Sequence, residues 1–291
     1  MPPGAAWLSG ALRRTWRGSL MMAKSDIAPP GVILLSAGRG SRMLPLTEGI
    51  PKSLLPVGDR LVLDWLIEAV IERTTGEVVV VTGYAAEKVV VHLSSRFGSR
   101  VATVHNERYV DDVNILSVEL GVAALKYPER GYLIVETDLL LDRCAWDQVF
   151  SVVNDAAPLS CWVCDGFYNP QLTGGIVHAD PNGRIDAVAY QPVYDPAFDG
   201  WPKMVGLLLV GPKQVEEDRR LRRAAIEQSI AQYYLMPWRE GIACLPSRVL
   251  QLQGGFARSF NTENDFYRAR ADFLAQSHSS TPNNKEKVTS A

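Results

Sequence analysis

Leu35-Ser-Ala-Gly-Arg-Gly-Ser-Arg-Met-Leu-Pro-Leu-Thr47, followed at once by Pro51-Lys-Ser-Leu-Leu-Pro-Val57, is the stretch on which the reading of this chain turns. It grows out of an apolar run, Val32-Ile-Leu-Leu-Ser-Ala37, of strand length and closed by Gly38. A strand running into Gly38-Arg39-Gly40-Ser41-Arg42 leaves a loop of small residues whose backbone N–H groups can approach an anion without obstruction from a Cβ. That suits a polyphosphate. Arg42 can bind phosphate oxygens through paired N–H groups, and Lys52 supplies a compact point charge where negative charge accumulates during transfer. Two other phosphate loops are excluded by spacing. A dinucleotide fingerprint needs a third glycine where Met43 stands, and neither Gly38 nor Gly40 is followed by the lysine of a Walker loop.

Outward from this stretch the chain alternates strand and helix. Glu77-Val-Val-Val-Val-Thr82, Arg100-Val-Ala-Thr-Val-His105 and Tyr132-Leu-Ile-Val-Glu136 read as strands, and the spacing leaves room for a helix between most of them. Apolar residues at 62, 63, 66, 67, 70 and 71 give Leu61 to Arg73 one buried helical face, and Asn114 to Lys126 has the same character. Such alternation predicts a mostly parallel sheet covered on both faces, with ligands at the carboxyl ends of the strands. The rhythm changes after residue 170. Gly174–Ala179, Arg184–Ala189 and Met204–Val210 are strand-like, and Asn182-Gly183 between the first two is a hairpin signal, so these strands are expected as an antiparallel extension of the same sheet.

Composition bounds the rest. Of 291 residues, 47% are apolar and 21% charged, and 30 basic against 32 acidic side chains give a net charge of −2, so no overall positive field is present to hold nucleic acid or an anionic membrane. No apolar run reaches the roughly 20 residues of a membrane span, and a cytoplasmic protein is expected. Four cysteines are too few for a disulfide scaffold; Cys161 and Cys164 fall in an apolar run, Pro158 to Asp165, that reads as a buried strand with inert thiols. Residues 1–30, with Arg13, Arg14 and Arg17 beside Trp7 and Trp16, are expected as a loose N-terminal extension, 31–275 as one domain, and 276–291 as a disordered tail. Glu216 to Arg223 reads as a solvated helix face with i,i+4 pairs.

With Leu-x-Ala-Gly-x-Gly-x-Arg-Met and Pro-Lys-x-Leu-Leu-Pro-Val both in place from Leu35 to Val57, the chain resembles the nucleotidyltransferases that activate sugar phosphates and related phosphate esters. The resemblance implies a Rossmann-like, three-layer α/β domain. It also implies attack of an acceptor's phosphate oxygen on the α-phosphorus of a nucleoside triphosphate, with pyrophosphate leaving. Asn106-Glu-Arg-Tyr109 and Val113-Asn-Ile-Leu-Ser117 are similar to elements of the bacterial phosphocholine and phosphonate cytidylyltransferases, with Val113 where that branch often has asparagine. The implied nucleotide-binding set is Leu35, Ala37, Gly38, Arg39, Gly40, Ser41, Arg42, Lys52, Tyr84, Asn106 and Asn114, of which Arg42 and Lys52 are catalytic. For Asn114 a plain helix N-cap is an equal reading, and for Ser117 the favoured one.

Ile134-Val-Glu-Thr-Asp138 ends a strand in carboxylates, and Asp138 takes the place of the family's metal-binding aspartate. Phe260-Asn-Thr-Glu-Asn-Asp265 resembles its late motif, so Asn261 would complete a Mg²⁺ site, while Thr262 and Asp265 cap the last helix. Glu136 or Asp142 could share the metal with Asp138, but both are read first as strand-end or turn caps. For the acceptor, Tyr190, Tyr194 and Trp201 could present aromatic faces to an ammonium group, against the alternative of a packed surface loop. The expectation is a Mg²⁺-dependent transfer of CMP from CTP to a small phosphate or phosphonate acceptor. The rivals are a sugar-1-phosphate nucleotidyltransferase using UTP, GTP or dTTP, and a regulatory subunit that binds nucleotide without turnover. Neither nucleic acid nor membrane is an expected partner, and a homo-oligomer is left open.

Overall fold

The computed structural model describes residues 28–155 and 158–279. The proposed N-terminal extension lies outside these except for residues 28–30. Of the tail placed at 276–291, residues 276–279 instead continue the last helix, and the remainder lies outside the described residues.

Gly31–Ser36 forms β1, buried along its whole length. After the glycine loop, a short ribbon of β2 (Pro56–Val57) and β3 (Arg60–Leu61) leads into α1 (Val62–Ile71). Then follow β4 (Val78–Thr82), α2 (Ala86–Phe97), β5 (Ala102–His105), α3 (Ile115–Ala124), β6 (Tyr132–Glu136), β7 (Leu139–Leu141) and α4 (Arg143–Val153). The second half comprises β8 (Ser160–Phe167), β9 (Gly174–Ala179), β10 (Ile185–Gln191), β11 (Pro202–Val210), α5 (Val215–Gln228), α6 (Met236–Glu240), β12 (Ser247–Gln251), β13 (Ala257–Ser259) and α7 (Glu263–Ser279).

The main sheet runs β10-β9-β11-β6-β1-β4-β5, with β8 joining β11 to β12. Strand β1 is parallel to both β4 and β6. The chain first builds outward from β1 through β4 to β5 and then returns to place β6 on the other side of β1. The direction of winding therefore reverses between β1 and β6, and a crevice opens beyond their carboxyl ends. Beyond β6 the sheet turns antiparallel through β11, and the β9–β10 hairpin extends it, as the Asn182-Gly183 signal predicts.

The sequence explains these elements directly. Four consecutive valines in β4 are β-branched and buried on both faces, as a central parallel strand requires. In α1, Val62, Leu63, Leu66, Ile67 and Val70 face inward, and Asp64 turns back to accept the N–H of Leu61. One core, including Leu34, Leu66, Trp146 and Phe260, fills one side of the sheet; a second, including Ile33, Val81, Val118 and Trp162, fills the other. Each such fully buried side chain contributes about 1.5–3 kcal/mol relative to exposure. The result is a three-layer, mixed, mostly parallel α/β fold.

The charged run in α5 is only half as expected. Glu217 and Arg220 pair in solvent, but Asp218 and Arg222 are each 1% exposed. They pair with one another at i,i+4 beneath the Tyr132 hydroxyl, and Trp238 Nε1 and Glu119 complete the network. The run hides a charged pair inside the fold because these partners satisfy it there. Cys161 and Cys164 are buried in β8, and desolvation pushes the Cys161 thiol up to about 12 and that of Cys164 higher. Among the described residues no helix is long and apolar enough to cross a membrane.

Candidate active site

The crevice at the winding reversal is a cleft of about 680 Å³. Its near wall is the glycine loop. Gly40 has φ +67°, a left-handed conformation that an L side chain adopts only with strain, and Thr47 Oγ1 closes the loop on the Gly40 carbonyl at 2.9 Å. A Cβ on Gly38 would meet nothing within 4 Å, so this residue offers its backbone to the cleft. Tyr84 sits behind the loop. Its hydroxyl accepts the Gly49 N–H and donates to the Thr47 carbonyl, its ring lies 5.7 Å from the Arg39 guanidinium, and Lys88 holds the Gly49 carbonyl.

The floor is made where β1 and β6 end. Thr137 donates its hydroxyl to the Leu35 carbonyl at 2.7 Å and so fixes the two strand ends together. Asp138 follows, 6% exposed, with Lys52 Nζ on its Oδ2 at 2.5 Å. Its Oδ1 is buried and has no hydrogen-bond partner. The backbone of Asp138 also accepts the Phe260 N–H, because β13 pairs antiparallel with β7 and sets Ser259 opposite Leu139. That pairing carries Asn261, more than 120 residues downstream, to the rim of the same floor. There its Oδ1 accepts from Arg42 at 2.6 Å. Thr262 and Asp265 exchange hydrogen bonds at the start of α7, the expected cap.

The far wall comes from the antiparallel half. Glu136, Lys203, Tyr190, Tyr233 and Tyr234 line it. Burial and the neighbouring Asp138 push the Glu136 carboxyl up to about 7, opposed by Lys52, Lys203 and the Tyr234 hydroxyl. Glu136 is thus a wall residue rather than a strand-end cap. Room for it comes from Gly206, at φ +86° in a bulge of β11, where a Cβ would meet Glu136 Oε2 at 3.0 Å. Lys203 is withdrawn from water, which lowers its pKa, while Glu136 opposes that shift.

The structure redistributes several residues singled out in the sequence. Leu35, Ala37, Gly38, Arg42, Lys52, Asn114, Asp138, Tyr190 and Asn261 line the cleft together. Asn106 does not: it is 0% exposed and spends its amide on Asp112 and Ser117 and its carbonyl on the Arg108 N–H. Asn114 makes no side-chain cap; its Oδ1 accepts the Tyr234 N–H, tying α3 to the far wall. The capping is done by Asp112, which accepts from the N–H groups of Leu116 and Ser117. Asp142 accepts from Ala145 at the start of α4. Arg39, Gly40, Ser41 and Tyr84 shape the loop from behind or outside.

Tyr194 and Trp201 lie off the cleft. Tyr194 stacks on Tyr168 and bonds Asp199, and Trp201 packs on Phe198 and His178, so these aromatic faces serve one another. Sequence reasoning missed Lys203, Tyr233 and Tyr234. The adjacent tyrosines were the available signal. No histidine among the described residues lines the cleft: His92 and His178 pair with Asp64 and Asp186, and His105 meets Thr82.

Comparison with known proteins places this geometry. Residues 32–191 match the family model of the MobA-like NTP transferase domain. The chain is 33% identical over 88 residues to the choline-phosphate cytidylyltransferase of Streptococcus pneumoniae, covering 30% of this chain and 37% of that protein. It is 31% identical over 117 residues to the 2-aminoethylphosphonate cytidylyltransferase of Lancefieldella rimae, covering 40% and 46%. A bifunctional GlmU protein of Methanococcus aeolicus is 27% identical over 155 residues, covering 53% and 34%. The matched segments span less than half the length of these relatives. Among solved structures, the CTP:phosphocholine cytidylyltransferase from Streptococcus pneumoniae superposes with a TM-score of 0.70 at 18% identity, covering 84% of this chain and 99% of that one. At that identity the likeness is one of fold.

Proposed function

The chain belongs to the family of MobA-like NTP transferase domains, and from that premise we propose that it transfers CMP from CTP to a phosphate or phosphonate oxygen of a small acceptor. The observation that carries the reading is the meeting of Lys52 with Asp138 under the glycine loop, with the second carboxylate oxygen left buried and unpartnered. The choice of CTP and of a phosphocholine-like or phosphonate acceptor is supported by the two cytidylyltransferases above.

In this scheme an anionic oxygen of the acceptor attacks the α-phosphorus of the nucleotide. A new phosphorus–oxygen bond forms as the bond to the β-phosphate breaks, and pyrophosphate leaves with the electron pair. The nucleophile is already deprotonated, so the chain's task is positioning and charge neutralisation, and no histidine is required. The loop at Gly38 and Gly40 cradles the triphosphate. Arg42, which uses one nitrogen on Asn261, keeps further N–H groups for phosphate oxygens. Lys52 brings its charge to the reacting phosphate while Asp138 orients it.

The residues fit Mg²⁺. Asp138 Oδ1 is a buried hard oxygen without a partner, and Asn261 adds an amide oxygen at the same floor, a sparse donor set of the kind Mg²⁺ accepts when substrate phosphates complete its shell. When bound, the ion would neutralise charge between the α-phosphate and the acceptor.

A pyrophosphate-release screen tests the proposal, pairing each of the four ribonucleotides and dTTP with phosphocholine, 2-aminoethylphosphonate, hydroxyalkylphosphonates and hexose 1-phosphates. Turnover with CTP and a small phosphate or phosphonate is the expected result. Turnover confined to a sugar phosphate overturns the acceptor, and nucleotide binding without turnover in any pairing overturns catalysis.

A further inference from the structure

Lys203 lines the cleft and has no part in the scheme above. Lys203 stands near the start of β11, in the antiparallel half of the sheet, across Asp138 from the glycine loop. The register of β11 against β6, with Leu207 opposite Val135, brings this end of β11 to the level where β6 gives way to Asp138. Lys203 Nζ donates to the Met204 carbonyl at 2.6 Å, and among the described residues it makes no ion pair. Two of its three N–H groups therefore remain to be used. Nζ lies 3.8 Å from where a Cβ on Gly174 would stand, with the Tyr190 ring 3.9 Å from the same point.

A lysine taken out of water is costly unless an anion offsets it. Here Glu136 and Asp138 hold the charge from a distance, yet neither closes an ion pair with it. The arrangement keeps a desolvated ammonium group ready for an anion that is not part of the protein. We propose that Lys203 binds the acceptor, directing two N–H groups to its phosphate or phosphonate oxygens so that a remaining oxygen faces the α-phosphorus. The assignment rests on the nucleotidyl-transfer reading for the identity of the anion and on the sheet for its place. Arg42 and Lys52 belong to the side built from β1, which holds the triphosphate; Lys203 belongs to the side beyond β6. The two sets of cations face each other across Asp138, the geometry that two anionic substrates reacting at one phosphorus require.

The test compares wild type with Lys203→Met, Lys203→Gln and Lys203→Arg. Thermal unfolding verifies folding, and Lys203→Gln keeps a donor for the Met204 carbonyl, so it separates loss of charge from loss of that contact. Steady-state kinetics with CTP and 2-aminoethylphosphonate or phosphocholine should show the acceptor KM raised about 10- to 100-fold in the Met and Gln variants. The KM for CTP should stay within about twofold, and Arg should restore part of the loss. Calorimetric titration of methylphosphonate into the nucleotide-bound protein should show the same pattern without needing turnover. Binding lost in Lys203→Met while no acceptor is ever cytidylylated would support the site and overturn the transfer reading. Unchanged acceptor KM and methylphosphonate affinity in both Met and Gln variants, or a CTP KM raised as much as that of the acceptor, would overturn the role of Lys203 whatever the chemistry.

Discussion

Lys52 illustrates how narrowly a single side chain can be committed. It reaches the floor from a short turn and makes one ion pair, with Asp138. Lys52→Ala should lower kcat by about 100- to 1,000-fold while shifting the melting temperature by only a few degrees; a variant that keeps wild-type turnover in the pyrophosphate assay would remove the lysine from the mechanism. Arg42, Lys52 and Asp138 were legible in the sequence because each lies at a fixed offset from a glycine turn or a strand end, so local spacing already placed them. Lys203 and Tyr234 were not, because they meet the cleft only through strand pairing and chain return across distances that no local pattern encodes. Asn106 misled for a related reason. A polar residue in a motif can serve by holding its neighbours, and only its burial under Asp112 and Ser117 reveals that it does.

At the scale of elements, α3 shows the same division of labour. Its residue at the boundary, Asn114, is engaged elsewhere, and Asp112 supplies the carboxylate that satisfies the first free N–H groups. Asp112→Ala should cost about 1–2 kcal/mol in urea unfolding, and it should also raise the nucleotide KM, since Asn106 and Ser117 lose their common partner. The bulge at Gly206 makes a second element-level prediction. Gly206→Ala places a Cβ against Glu136 on a backbone at φ +86° and should destabilise the protein by about 1–2 kcal/mol, measured in the same titration. The strands and the hairpin were legible from apolar runs and Asn182-Gly183. The short β7–β13 ribbon that completes the floor was not, for three residues on each side carry no periodic signal.

For the whole molecule, two features report on integrity. The Asp218–Arg222 pair joins α5 to β6 and to Glu119 of α3, and removing one partner leaves the other charged and buried. Asp218→Ala should therefore destabilise the protein by about 3–5 kcal/mol, whereas an exposed change such as Glu217→Ala should leave the unfolding midpoint nearly unchanged; chemical denaturation compares the two. Thiol labelling gives a simpler readout. Cys144 and Cys244 are exposed while Cys161 and Cys164 are buried with thiols held protonated, so the native protein should label rapidly at two of its four cysteines, and raising the pH from 7 to 9 should not recruit the buried pair. Labelling of all four without denaturant would show that β8 opens.

The Thr137 hydroxyl on the Leu35 carbonyl ties together the last turns of two strands that descend from opposite directions of winding. Because this stitch joins the strand ends that lead into the glycine loop and into Asp138, it sets the span between those two parts of the cleft, and slack in it would reach both at once.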